Sequence, residues 1–228
     1  MTFNQIKMAL YATYLTNYFG FKLKYASSSQ EKKKIRLEYS NKLLAKLKLD
    51  IKIRNEEKIP KDGQYLLVSN HRSVIDPLIV ETAFKNSNIL GHWISKKELY
   101  NSFFFGVFVR NGATILLDRE NSKMGSFFSD IKQAVKSGDS IFIFPEGTRN
   151  KSENTLGEFK DGSRIIAVKN RLPILPVYIN SNANIQLMDS LHDGKEHRTI
   201  EIEVGDIIDY KDKSFTLEEA YKKQFGLE

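Results

Sequence analysis

An α/β fold, with a mixed, mostly parallel sheet flanked by helices, is predicted by two alternating patterns. Short apolar runs of strand character recur at 51–54 (IKIR), 65–69 (YLLVS), 89–94 (ILGHWI), 113–118 (ATILLD), 140–144 (SIFIF), 174–179 (ILPVYI) and 199–204 (TIEIEV). Between them, Asp76–Asn86, Ser122–Lys136 and Lys160–Lys169 repeat apolar residues at helical spacing. Most of the runs are apolar throughout, as strands covered on both faces are. Only TIEIEV alternates with period two, which predicts an edge strand. Thr216 and Glu219 form a capping box that opens a C-terminal helix.

The front of the chain differs in composition. Residues 1–54 hold 12 Lys and Arg against 3 acids, whereas the remainder holds 23 against 25, so the net charge of +7 belongs to this segment. It reads as two helices separated by the serine run 27–29. Ile6, Leu10, Tyr14, Tyr18 and Phe21 form a stripe on the first, widened by Phe3 and Phe19. Ile35, Tyr39, Leu43 and Leu47 form one on the second, among Lys32, Lys33, Lys34, Arg36, Lys42, Lys46 and Lys48. The segment is therefore either a helical hairpin packed on the main domain or a basic amphipathic surface that lies on anionic lipid. The division expected is an arm over 1–54 and an α/β domain over 55–228.

Composition narrows the chemistry. With 41% apolar and 28% charged residues the chain suits a sizeable globular domain rather than global disorder. No cysteine is present, which excludes a disulfide framework, a thiolate metal site and a cysteine nucleophile. The N-terminal residues lack the pattern of a signal peptide, and no apolar stretch reaches the roughly 18 residues needed to span a bilayer. A soluble or peripheral protein is expected.

Two polar turns follow apolar runs and carry the functional signal. The first, NHRSVIDP (70–77), holds His71 and Asp76, five residues apart. On an ideal helix that spacing would turn them about 140° away from each other. They meet only if His71 lies in the loop and Asp76 opens the next helix, an arrangement that Pro77 favours. Asp76 is then either a helix cap beside an ordinary polar histidine, or a carboxylate that fixes the imidazole tautomer and leaves the other ring nitrogen free to accept a proton. Ser73 is too close in sequence to face His71 with certainty, and no G-x-S-x-G elbow exists, so the pair suits a substrate hydroxyl better than an enzyme serine. The second turn, FPEGTRN (144–150), is either a glycine turn with a surface Glu–Arg pair or an anion-binding loop.

NHRSVIDP resembles the N-H-x-x-x-x-D motif of the glycerolipid acyltransferases, the family that includes the 1-acyl-glycerol-3-phosphate acyltransferases. KKEL (96–99) and GATILLDR (112–119) resemble its second block, FPEGTRN its third almost letter for letter, and LPILPVYI (172–179) its fourth. The likeness covers roughly residues 64–180. The spacing after Gly112 is one residue longer than the usual form, so the arginine is carried over rather than the glycine. The resemblance implies His71 as the general base, Asp76 as its orienting carboxylate, and direct attack of the acceptor hydroxyl on an acyl thioester. It also implies an acceptor held by Arg119, Glu146, Gly147, Thr148 and Arg149, the arginines serving its phosphate. Arg suits phosphate as a bidentate donor, and Gly lets backbone approach a ligand closely. No cofactor is implied beyond the thioester of acyl carrier protein or coenzyme A. The implied partners are a lysophospholipid and an anionic membrane surface, with the protein peripheral on its cytoplasmic face.

Other stretches have competing readings. Lys97 in KKEL is a solvated lysine or a phosphate contact. FFFGVFV (103–109) is core or the wall of an acyl-chain site. HDGKEH (192–197) reads as a hairpin loop rather than a metal site, because its histidines lack a standard ligand spacing. Asp161 and Gly162 read as a turn. The basic, tyrosine-rich front also raises nucleic-acid binding, but its aromatics lie on helical stripes and no base-reading motif accompanies them, so no nucleic acid is expected.

Overall fold

The structure, a computed structural model, describes residues 2–118 and 124–227, Asp193 by its backbone alone. In chain order the elements are α1 (Phe3–Lys24), α2 (Ser29–Lys46), β1 (Leu49–Arg54), β2 (Leu66–Ser69), α3 (Asp76–Ala83), β3 (Gly91–Lys96), α4 (Gly106–Asn111), β4 (Thr114–Leu117), α5 (Gly125–Lys136), β5 (Ser140–Ile143), α6 (Gly162–Asn170), β6 (Ile174–Ile179), α7 (Ala183–Asp193), β7 (Arg198–Val204) and α8 (Leu217–Phe225). The strands form one sheet in the order β1-β7-β6-β2-β5-β3-β4. All neighbours are parallel except β6 and β7. Each apolar run read from the sequence contributes one strand.

Alternation along the strands divides the core. Leu67, Phe142, Leu175 and Val177 face a cluster built with α1, α2, α3 and α7. Leu66, Val68, Ile141 and Ile174 face a second cluster built with α5, α6 and α8. A strand buried on both faces has no use for a polar residue, which is why these runs read as continuous hydrophobe. The TIEIEV strand departs from expectation. β7 is not the edge but lies between β6 and β1. Its alternation arises because Ile200, Ile202 and Val204 are buried, whereas Glu201 turns to the opposite face and pairs with Lys52 at 2.9 Å and Arg54 at 2.5 Å, both on β1. Residues 49–54 of the front segment are thus part of the sheet.

The two N-terminal helices pack on the domain and also leave an apolar row outside it. Tyr39, Leu43 and Leu47 of the second stripe are buried, as the sequence implied. On α1 the buried face is Met8, Leu15, Thr16, Phe19, Gly20 and Leu23. Of the stripe read from the sequence only Phe19 lies on that face; the rest is the opposite face, with Leu10 69%, Tyr14 66% and Phe21 56% exposed. Thr16 and Tyr39 share a buried hydrogen bond of 2.9 Å that joins the helices, and burial pushes the Tyr39 hydroxyl up to about 12. Among the described residues no helix is long and apolar enough to cross a membrane.

The basic run of α2 is not all solvated. Arg36 is buried and bonded to Glu81, and Lys33 donates to the carbonyl of Ser87, with burial lowering its ammonium pKa. Two helices escaped the sequence reading. α4 occupies the second half of FFFGVFV, where only Gly106 is buried and Phe103 is 88% exposed. α7 runs through His192 and ends at Gly194 in the left-handed region, so HDGKEH is a helix end and its exit rather than a hairpin.

Candidate active site

Five neighbouring parallel strands, β6, β2, β5, β3 and β4, end on the same edge of the sheet, the usual binding edge of an open α/β fold. The four polar segments singled out in the sequence sit there because each follows a strand. The His71 turn leaves β2, the Glu146 turn leaves the adjacent β5, Lys97 follows β3, and Asp118 follows β4. Arg119 comes directly after Asp118 and lies outside the described residues.

His71 and Asp76 meet in the turn. The Nδ1 of His71 lies 2.8 Å from Asp76 Oδ2, which also accepts the backbone N–H groups of Arg72 and Ser73, each at 2.7 Å. A carboxylate holding three donors on one oxygen accepts from the ring, so the hydrogen of the imidazole sits on Nδ1 and Nε2 carries a lone pair. Asp76 is the first residue of α3 and makes no cap for it; Ile75 holds the cap position without a side-chain bond. Its carboxylate serves the turn and the histidine. The side chain of His71 is 18% exposed and that of Asp76 1%. Asp76 Oδ1 is buried without a hydrogen-bond partner among the described residues, an arrangement that costs stability and is seen where chemistry requires it.

The second turn braces the first. Glu146 Oε1 accepts the backbone N–H of His71 at 2.6 Å, and Oε2 accepts that of Gly157 at 2.8 Å. The His71 carbonyl in turn accepts the N–H of Asn150 at 2.6 Å. Burial pushes the Glu146 carboxyl above the usual carboxylate range, and the two N–H bonds oppose that shift. Gly147 makes the turn possible with φ +70°, a conformation that an L side chain resists. Gly157 matters for space: a Cβ there would lie 2.3 Å from Glu146 Oε2. Gly157→Ala is accordingly expected to push the carboxylate off the His71 backbone. A displacement of about 1 Å near reacting groups costs on the order of 100-fold in rate. Turnover should fall by roughly that factor while the melting temperature moves by only a few degrees, since Gly157 is a part-buried loop residue and the atom displaced is the end of a flexible side chain; comparing turnover with a thermal melt checks both.

The remaining candidates sit at the rim. Thr148 and Arg149 are exposed on the loop after Glu146, and Lys97 pairs with Asp118 at 2.7 Å. Ser73 is fully buried, its oxygen facing the backbone of Ile75. Several residues of the site were not singled out in the sequence. Asn70 bonds both backbone groups of Ile179 at 3.1 and 2.8 Å, fastening the histidine turn to the end of β6. Tyr221, on α8, donates to the Val177 carbonyl at 2.7 Å; burial pushes its hydroxyl well above the ordinary value. Arg72 reaches the carbonyls of Asn154 and Thr155, on the loop that follows the second turn. Phe144 stacks on the His71 ring with centroids 4.0 Å apart. Asn70, Arg72 and Phe144 all lie inside the quoted motifs, so their positions were visible but their partners, far away in sequence, were not.

Comparison with known proteins bears on the family and the fold. A family model described as Acyltransferase matches residues 50–180. A 1-acyl-sn-glycerol-3-phosphate acyltransferase of Helicobacter pylori is 41% identical over 121 residues, 52% of this chain and 50% of that one. A probable 1-acyl-sn-glycerol-3-phosphate acyltransferase of Mycoplasma pneumoniae is 34% identical over 130 residues, 56% of this chain and 48% of that one. The chain spans about half the length of the curated relatives it matches. The crystal structure of the 1-acyl-sn-glycerophosphate acyltransferase PlsC from Thermotoga maritima superposes with a TM-score of 0.68 at 22% identity, covering 96% of this chain and 90% of that one, and so shares its fold. With the family model spanning more than half of the chain, including both polar turns and the strands that lead into them, the chain belongs to the acyltransferase family.

Proposed function

We propose that this protein transfers a fatty acyl group from a thioester to the free hydroxyl of a 1-acyl-glycerol-3-phosphate, giving phosphatidic acid at a membrane surface. The observation that carries the reading is the 2.8 Å contact between His71 Nδ1 and Asp76 Oδ2, which leaves Nε2 as a base at the binding edge of the sheet. Nε2 takes the proton of the acceptor hydroxyl as its oxygen attacks the thioester carbonyl. The tetrahedral adduct collapses with loss of the C–S bond, and the imidazolium returns its proton to the departing thiolate. Asp76 stabilises the imidazolium while it exists. The thioester, of acyl carrier protein or coenzyme A, is a co-substrate, and the scheme needs no further cofactor. Arg149, exposed on the loop beside the base, and Arg119 are assigned to the acceptor phosphate, with Thr148, Gly147 and Lys97 around them. Glu146, whose two oxygens are engaged by backbone, would serve the acceptor by holding the histidine turn.

An acceptor panel with mass spectrometry of the products tests the reading: lysophosphatidate should be the preferred acceptor, and preference for an uncharged or zwitterionic lysolipid would sink it. Arg149→Ala should weaken use of the phosphate-bearing acceptor by about 2–3 kcal/mol, the size of a lost charge-assisted bond, and leave phosphate-free acceptors little changed. Equal losses on both would make Arg149 structural. Transfer should also be direct. Incubation with acyl thioester alone is expected to leave the intact mass unchanged, since Ser73 is buried and cysteine is absent. A stable acyl adduct would replace this mechanism with a covalent one.

A further inference from the structure

Asp76 grips only one edge of the His71 ring. A single hydrogen bond at Nδ1 fixes that nitrogen, but it leaves the ring free to rock about the N–O axis, and such rocking would swing Nε2 away from any fixed target. What holds the plane is a stack of rings. Phe144 lies parallel to His71, with centroids 4.0 Å apart and planes at 10°. Trp93, on the neighbouring strand β3, lies behind Phe144 at 5.0 Å and 25°. The stack does not end in loose packing. The indole N–H of Trp93 donates to Glu81 Oε1 at 3.0 Å, and the same oxygen takes Arg36 Nε at 2.7 Å. The Arg36 guanidinium also bonds the carbonyls of Gly112 at 3.1 Å and Gly91 at 3.0 Å. Both charged side chains are about 95% buried, at 5% and 4% exposure.

A buried ion pair is a poor source of stability, because desolvating two charges consumes most of their attraction. This pair makes sense as a device for orientation. Glu81 sits on α3, five residues after Asp76. One helix therefore carries both the carboxylate that fixes the edge of the imidazole and the carboxylate that fixes the far end of the stack. Arg36, from α2, locks that second carboxylate to β3 and to the end of α4. The face of Phe144, negative by its quadrupole, also favours the charge that His71 acquires during transfer.

We propose that Phe144 and Trp93 are positioning residues for His71: a three-ring stack, anchored by Glu81 and Arg36, sets the imidazole plane and aims Nε2 at the acceptor hydroxyl. The inference rests on the reading of His71 as the base. Its test pairs leucine with aromatic replacements. Phe144→Leu and Trp93→Leu should each lower kcat about ten- to a hundredfold, with KM for both substrates within about twofold, as misaimed bases do. Phe144→Tyr and Trp93→Phe keep flat faces and should recover most of kcat. Where Trp93→Leu fails to fold, Phe144→Met, which keeps volume without a flat face, carries the same comparison.

A second readout needs no substrate. In wild-type protein the Nδ1–H of His71 should give a sharp, exchange-protected signal in nitrogen-15 spectra of the imidazole. That signal should broaden in Phe144→Leu and sharpen again in Phe144→Tyr. Equal kcat losses in leucine and aromatic variants, or an Nδ1–H signal indifferent to Phe144, would overturn the proposal. If His71→Ala instead retains turnover, the base assignment fails on its own, and the Nδ1–H signal still decides whether the stack orders the ring.

Discussion

Replacing Asp76 with asparagine is expected to lower kcat by about three to four orders of magnitude, the scale seen when the orienting carboxylate of a His–Asp pair becomes an amide. The cause is the loss of a negative charge beside the ring. Asp76 Oδ2 accepts from His71 Nδ1, Arg72 N and Ser73 N. An asparagine oxygen in the same place still accepts from all three, and its amide nitrogen takes the position of Oδ1, which has no partner among the described residues. A neutral amide stabilises the imidazolium that forms during transfer far less than a carboxylate does. Stability should fall by only about 1–2 kcal/mol, since the carboxylate is not a helix cap and Oδ1 leaves no bond to lose. Steady-state kinetics alongside a denaturant melt separates the two effects. Near-normal kcat in the asparagine variant would reduce Asp76 to a brace for the turn. Asp76→Ala should be worse on both counts, because two backbone N–H groups and the ring Nδ1–H then lose their acceptor.

The contrast between what the sequence disclosed and what it did not follows from the range of the interactions. Strand positions were legible because burial on both faces writes a local signature: Leu66, Leu67 and Val68 are adjacent and all fully buried. The pair of turns was legible because each follows such a run. Sheet order was not, because nothing local states that β7 pairs with β1 on one side and β6 on the other. The same limit hid Arg36. It follows the lysine run 32–34 and reads as part of it, and only the approach of α3 and β3, 45 and 55 residues away, makes it a buried anchor. Glu146 stood out as a site residue, but its bonds to the backbone of His71 and Gly157 did not, because no motif names backbone groups. On α1 the period of 3.6 picks out the exposed stripe and not the buried one: apolar residues occupy both faces, and periodicity alone cannot say which one the domain covers.

That two-sided helix leads to the second large effect. Replacing Leu10, Tyr14 and Phe21 together by serine is expected to lower productive use of vesicle-borne lysolipid by about two orders of magnitude while leaving the protein folded. These side chains are 69%, 66% and 56% exposed, so their loss removes little from the core. Inserted at the boundary between headgroups and acyl chains, each would contribute on the order of 1 kcal/mol, less than a fully buried side chain because part of its surface is already covered. Three together amount to about 3 kcal/mol, or roughly two orders of magnitude in vesicle affinity. Charge should supply the remaining, salt-sensitive part. The exposed lysines of α1 and α2 are Lys7, Lys24, Lys34, Lys42 and Lys46, and Lys24 and Lys46 lie over the rings of Tyr25 and Tyr11 at 5.9 and 5.5 Å. Reversing Lys7, Lys24, Lys42 and Lys46 should weaken binding to anionic vesicles at low ionic strength and matter less near 0.15 M salt, where the Debye length is about 8 Å. Arg36 and Lys33 must be left out of such a variant, because their charges hold α2 to the domain and not to a surface. The decisive comparison is between substrates. Both variants should turn over a short-chain, monomeric lysophosphatidate at the wild-type rate and fail only on vesicles. Equal failure on the soluble acceptor would mean that α1 shapes the site itself, and loss of oligonucleotide binding with vesicle binding intact would assign the basic arm to nucleic acid instead.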